Sequence, residues 1–279
     1  MWSEAVHSFV DSGNEVLLLY GMRRAAARPD SAHPLGYGRE LYFWSFIVAL
    51  LVFALGAGVS IYQGVLHVRK PEPINEPVVS YVVLGLSFIF EGASWLVSLR
   101  QFRAAKGDLG FYAAFRRSKD PPSFMVLFED TAALIGILIA ALGTYLASAL
   151  QQPVWDGIAS ILIGFVLAGT ASLLARESKS LLIGEQADPR LTESIMRIAR
   201  ENCTCSRPNG LITVQLSADQ ILAALSLEFA ADLPAARIED EVIQLERRVR
   251  DAHPDVVALF VKPQTEATYT EHVRRRLTR

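Results

Sequence analysis

The sequence predicts an α-helical membrane protein of about five spans, followed by a small C-terminal α+β domain. Three observations carry that expectation. The 279 residues are 51% hydrophobic with a mean hydropathy of +0.28, too apolar for a water-soluble chain of this size. The apolar residues are gathered into runs that meet the roughly 20 residues a helix needs to cross a bilayer. From about Ala187 the composition becomes that of a soluble domain. The expected division is therefore a transmembrane domain over 1–186, an α+β domain over 187–265 and a polar tail over 266–279.

The opening stretch "SEAVHSFVDSGNEVLLLYG" reads as a helix over about 5–21, short and polar on one face. No positive region precedes it and no small-residue cleavage site follows, which argues against a signal peptide. The run 41–68 contains no Asp, Glu, Lys or Arg. The run 78–99 contains only Glu91, the run 123–150 only the pair Glu129-Asp130, and the run 154–175 only Asp156. Lys and Arg concentrate in two connectors: Arg23, Arg24, Arg28 and Arg39 in the first, and Arg100, Arg103, Lys106, Arg116, Arg117 and Lys119 in the third. Such loops stay on the cytoplasmic side, which places the C-terminal domain in the cytoplasm as well. Met1 then falls outside, so a further span upstream of it is expected.

In the tail, "DPRLTESIMRIARE" has helical spacing, with Ile195, Ile198 and Ala199 on one face. "LITVQLSADQ" and "ILAALSLEFA" read as two strands about a turn at Ala218-Asp219. Ile238, Val242, Leu245 and Val249 form the apolar stripe of a second helix. His253-Pro254 stops it, and "DVVALFVKP" is a last strand.

His7 and Asp11 are four residues apart and Asn14 is three further on, so all three stand on one helix face. Ionisable residues within a span point to function, because lipid makes them costly. Imidazole with carboxylate suits a borderline-soft divalent metal, zinc above all. The other half of such a site must come from another span with acids at similar depth, which singles out Asp130 and Glu129. Hydrogen bonding between helices is the competing reading for these residues, and for Glu91, which could also carry protons or gate. Gly92 and Ser94 beside it read as small residues for close packing. His67 and His253 read as ordinary residues, and Glu15 as part of an inner cavity wall. Cys203 and Cys205, one residue apart, are neither a disulfide framework nor a complete metal site. "RRRLTR" is too short for nucleic acid, and no HExxH motif supports an enzyme.

In this order the pieces resemble the cation diffusion facilitator, or zinc transporter, family. "SEAVHSFVDSGNE" is similar to the family's second transmembrane helix with its HxxxD half-site at His7 and Asp11, "HPLGYGRE" to the loop after it, "WDGIASILIGFVL" to the start of the sixth, and "LLIGEQADP" to the exit toward a metallochaperone-like cytoplasmic domain. The resemblance identifies the missing upstream span as the family's first helix. "LFEDTAALIG" is similar to an atypical branch that includes mitochondrial zinc exporters: Asp130 matches the second motif's Asp, while Val126 stands where typical members have His. Glu129 is then a candidate fourth ligand, although it lies about 100° around the helix from Asp130; water or Asn14 could substitute. In the loop site His33 is kept but Tyr37 replaces the second His. Ser226 and Phe260 stand where the cytoplasmic domain usually presents histidines.

The resemblance implies a non-enzymatic secondary transporter in the cell (inner) membrane. It would export a divalent cation, zinc before manganese, iron or cobalt, against protons, with no cofactor and as a homodimer. The alternative is an N-terminally truncated, transport-inactive membrane protein that acts through its dimerisation domain.

Overall fold

Hydropathy sets the first two-thirds of the structure. The computed structural model describes the backbone of residues 2–71, 77–202 and 206–278, and within these the side chains of 12–71, 78–201, 207–275 and 278. Helix α1 covers Trp2–Ala25. Helix α2 (Glu40–Leu51) passes through a π-helical segment, Val52–Ala57, into α3 (Gly58–Arg69). Helices α4 (Pro77–Lys106), α5 (Phe111–Arg117), α6 (Pro121–Ala149) and α7 (Val154–Ile183) follow. Among the described residues four helices are long and apolar enough to cross a membrane: Glu40–Arg69, Val78–Lys106, Pro121–Ala149 and Val154–Ile183. The fifth expected span is α1, whose 24 residues measure about 36 Å.

The helices outrun the apolar segments. α4 continues through Arg100 to Lys106, and its basic last turn faces the negative end of the helix dipole. Pro121 and Pro122 open α6, where a missing N–H costs nothing. Large apolar side chains such as Val78, Ile89, Phe90, Leu138 and Phe165 point outward, as lipid-facing positions should. The connector before α6 is not the plain loop its charges suggest. It folds as α5 because Ala114 and Phe115 are buried on one face, with the Phe115 ring edge-on to Phe124 at 5.1 Å and tilted against Phe128 at 4.7 Å.

Polar contacts fix the helix directions. Arg24 meets Glu40 at 3.2 Å, the Tyr42 hydroxyl donates to the Lys119 carbonyl at 3.1 Å, and Arg116 pairs with buried Glu177 at 3.1 Å. These bonds gather the basic connectors at one end. At the other end His67 lies 3.3 Å from Asp156, joining the end of α3 to the start of α7. α1 therefore runs antiparallel to α6, and so does α4.

Residues Met1–Leu182 form one compact unit and Ile183–Arg279 another. In the second, α8 (Pro189–Asn202) and α9 (Ala235–Ala252) accompany β1 (Ser206–Ser217), β2 (Gln220–Phe229) and β3 (Val256–Pro263). The strands lie in the order β1-β2-β3. β1 and β2 form an antiparallel hairpin, and β3 is parallel to β2, as a crossover through α9 allows. Ile195, Ala199, Leu245 and Val249 bury against Ala223, Leu225 and Leu227 of β2. The expected fold class, spans followed by an α+β domain, is the one observed. The stretch read as a polar tail is instead helical: α10 (Glu266–Leu277) is capped by the Thr265 side chain, and its Tyr269 fills the space where Gly210 lacks a side chain. Cys203 and Cys205 lie outside the described residues.

Without a hydrophobic drive between helices in lipid, small residues let backbones approach. A Cβ on Gly64 would stand 2.6 Å from Ile161 Cγ1 and 2.7 Å from the Gly157 carbonyl oxygen; one on Gly157 would stand 2.9 Å from the Gly64 carbonyl oxygen. We expect Gly64→Leu to abolish the monodisperse folded protein in detergent. Gly85→Leu, at an exposed position with nothing within 4 Å of the added Cβ, should leave it intact. Size-exclusion profiles and thermal melting of both variants check this; a wild-type melt for Gly64→Leu would contradict the packing.

Candidate metal centre

The residues singled out for metal sit on α1, α4 and α6. On α6, Glu129 and Asp130 are neighbours, so their side chains diverge by about 100°. The structure gives each a partner from a different helix. The Asn14 amide of α1 donates to Glu129 Oε1 at 2.9 Å, and Asn14 is 1% exposed. The Ser94 hydroxyl of α4 donates to Asp130 Oδ2 at 2.8 Å, and Asp130 is 8% exposed. One residue along, Trp95 Nε1 donates to the Thr131 hydroxyl at 2.9 Å, which donates onward to the Leu127 carbonyl at 2.7 Å. These bonds help to satisfy polar groups that are costly to leave unpaired at low dielectric.

Glu129 is thus an acid that meets the polar face of α1, at Asn14. His7 and Asp11 stand on that face two turns and one turn before Asn14; their side chains lie outside the described residues. Because α1 and α6 are antiparallel, the step from Asn14 to Asp11 and the step from Glu129 to Asp130 run the same way across the membrane. Glu91 is half-buried and shares a face of α4 with Ser94 and Trp95 by its spacing of three and four. Glu15 is exposed, unlike its buried neighbour Asn14. Ser94, expected only to allow close packing, is a hydrogen-bond donor to an acid. Trp95 and Thr131 were not foreseen at all. Among the described residues no three His, Cys, Asp or Glu side chains are grouped so as to hold a metal ion, a statement that does not extend to His7 and Asp11.

The connector after α1 forms a second polar cluster. Asp30 Oδ2 accepts from the Tyr37 hydroxyl at 2.7 Å, and Oδ1 accepts from the His33 backbone N–H at 2.7 Å. The His33 ring lies 4.2 Å from the Tyr37 ring. Arg24 sits over Tyr37 at 5.2 Å and is tied to Glu40, which also accepts from Trp44 Nε1 at 2.9 Å. Tyr37, in the place of a second histidine, therefore closes the loop as a donor to Asp30. That bond first, and the His33 N–H second, hold the Asp30 carboxyl below its ordinary range; the same bond raises the Tyr37 phenol. In the second unit, the Ser226 hydroxyl accepts from the Asn209 amide at 3.1 Å, Phe260 is exposed, and His253 is bonded to Ser194 at 2.9 Å.

The chain matches the family model of the cation efflux transmembrane domain over residues 1–183. It is 36% identical over 200 residues to the proton-coupled zinc antiporter SLC30A9, mitochondrial, of Xenopus laevis, covering 69% of the chain and 36% of that protein. It is 34% identical over 202 residues to metal tolerance protein C4 of Arabidopsis thaliana, covering 72% of the chain and 44% of that protein. A more distant relative is the manganese efflux system protein MneP of Bacillus subtilis, 22% identical over 237 residues, covering 80% of the chain and 75% of that protein. The chain thus spans less than half the length of the first two. With the transmembrane model matched along the apolar helices, the protein is a multi-pass membrane protein.

The Asp30 cluster has a definite pH response. A carboxylate whose pKa is lowered on folding contributes stability above its unfolded value that is lost as pH falls through the folded one. The loop should therefore hold across neutral pH and loosen only below the ordinary carboxylate value of about 4. Tyr37→Phe removes the main cause, so the Asp30 carboxyl should titrate at higher pH than in the wild type. Carbon-13 NMR of labelled aspartate carboxyls measures this; equal titration in both proteins would contradict the assignment.

Proposed function

The chain belongs to the cation efflux family, and from that membership and the buried polar group of α1, α4 and α6 we propose that it exports a divalent cation, zinc first, by secondary transport with protons moving the other way. The observation that carries this reading is the pair of acids in an otherwise apolar span, each met by a polar residue of a different helix: Asn14 to Glu129 and Ser94 to Asp130. His7, Asp11 and Asp130 are the ligands. Glu129 is the fourth, with Asn14 orienting it from α1. One imidazole and several carboxylates make a site suited to zinc and tolerant of manganese, iron or cobalt. The Xenopus relative is named a zinc antiporter and the Bacillus relative a manganese efflux protein, which keeps manganese second.

Proton coupling follows from the same groups. Imidazole and carboxylate bind metal when deprotonated and accept protons when the metal leaves. Glu91, one turn from Ser94 on the side away from the basic connectors, serves as the proton carrier or polar gate for the outer half. Rocking of the helices about a site near the midplane gives each side access in turn. The basic connectors face the cytoplasm of a cell membrane, and the metal leaves from that side. If the membrane is mitochondrial, as in the name of the Xenopus relative, the same side is the matrix. Two protomers pair through the second unit. The sheet face away from α8 and α9 carries the cross-strand row Ile212, Ala224, Phe260, with Ile212 and Phe260 exposed.

Asp11→Ala and Asp130→Ala, each in the full-length protein, should reduce zinc transport to the level of empty vesicles while expression and dimer formation persist. Each removes a charged ligand from a site with none to spare. Reconstituted vesicles with a zinc-sensitive dye measure it, and wild-type rates in either variant would remove the site.

A further inference from the structure

We propose that Ser94 is a positioning residue that makes Asp130 meet the transported cation through one oxygen, and that it thereby biases the site toward zinc over manganese. The proposal rests on the reading of Asp130 as a ligand. It starts from the 2.8 Å bond in which the Ser94 hydroxyl donates to Asp130 Oδ2. Ser94 belongs to α4, which supplies none of the proposed ligands, so its bond constrains the acid from outside the site. A second bond joins the same two helices one residue along. Trp95 Nε1 donates to the Thr131 hydroxyl at 2.9 Å, and Thr131 is anchored to the Leu127 carbonyl at 2.7 Å. α4 cannot slide along α6 without breaking both contacts.

A carboxylate can hold a metal with one oxygen or close on it with two. The Ser94 proton lies on Oδ2, so a cation that used that oxygen would compete with a hydrogen bond to a charged acceptor, which is stronger than a neutral one. Asp130 therefore presents Oδ1, and the site keeps the low donor number that suits tetrahedral zinc. An ion that prefers six oxygen donors, as manganese does, gains from a second oxygen that Ser94 withholds. Ser94→Ala removes the competitor and lets both oxygens of Asp130 reach the ion.

The test is the ratio of zinc to manganese initial rates for the full-length protein in vesicles. Ser94→Ala should move that ratio toward manganese by about tenfold, the scale set by one hydrogen bond to a charged group. Ser94→Thr keeps the hydroxyl and should keep the wild-type ratio. Trp95→Phe cuts the neighbouring bond between the helices without touching an acid, and should also keep the ratio, whatever it does to the rate. If Ser94→Ala does not yield folded protein, Ser94→Cys, with a weak donor, should shift the ratio in the same direction. An unchanged ratio in whichever of these two variants folds would overturn the proposal, as would an equal loss for both ions, because Ser94 would then only support the helix pair. Failure of the underlying reading looks different: transport would survive Asp130→Ala.

Discussion

Two adjacent acids about a third of the way along an apolar helix set a constraint that the rest of the membrane unit obeys. Glu129 and Asp130 cannot both face one neighbour, because consecutive helical residues diverge by about 100°. Neither can face lipid at tolerable cost. α6 must therefore lie between two other helices, each with a polar residue at the right depth. Asn14 on α1 and Ser94 on α4 meet that requirement. The same constraint brings the α1 face that carries Asn14 to α6.

The remaining helices supply a frame with different physics. α3 and α7 touch through Gly64 and Gly157, where even one added carbon would collide with backbone. Such contacts leave little room for adjustment. α6 shares such packing, with Phe124, Met125 and Leu127 buried and an added Cβ on Gly143 set to collide with Ala159 Cβ, and it adds hydrogen bonds at Glu129 and Asp130.

Much of this was legible in the sequence because hydropathy is a strong, local signal. The long apolar runs and the α8, β1, β2, α9, β3 order all follow from period and composition. What stayed hidden depends on neighbours. Ser94 reads equally well as a small packing residue, and only its distance to Asp130 makes it a donor. The angle between Glu129 and Asp130 was calculable, but the helix each one faces was not. α5 escaped notice because its seven residues carry a weak apolar face, Ala114 and Phe115, inside a strongly basic connector. α10 escaped because its polar stretch reads as solvated tail until Tyr269 meets Gly210. In the loop, Tyr37 looked like a lost ligand, whereas it is the donor that closes the turn onto Asp30.

The central claim is that the transported ion sits between α1 and α6 on imidazole and carboxylate. X-ray absorption at the zinc edge, on full-length protein loaded with one equivalent of zinc, tests it most directly. The account requires about four nitrogen and oxygen neighbours at about 2.0–2.1 Å, including the scattering pattern of one imidazole. A shell with sulfur at about 2.3 Å would place the ion at Cys203 and Cys205 instead and contradict the account. So would a zinc shell unchanged after His7, Asp11 and Asp130 are all replaced by alanine.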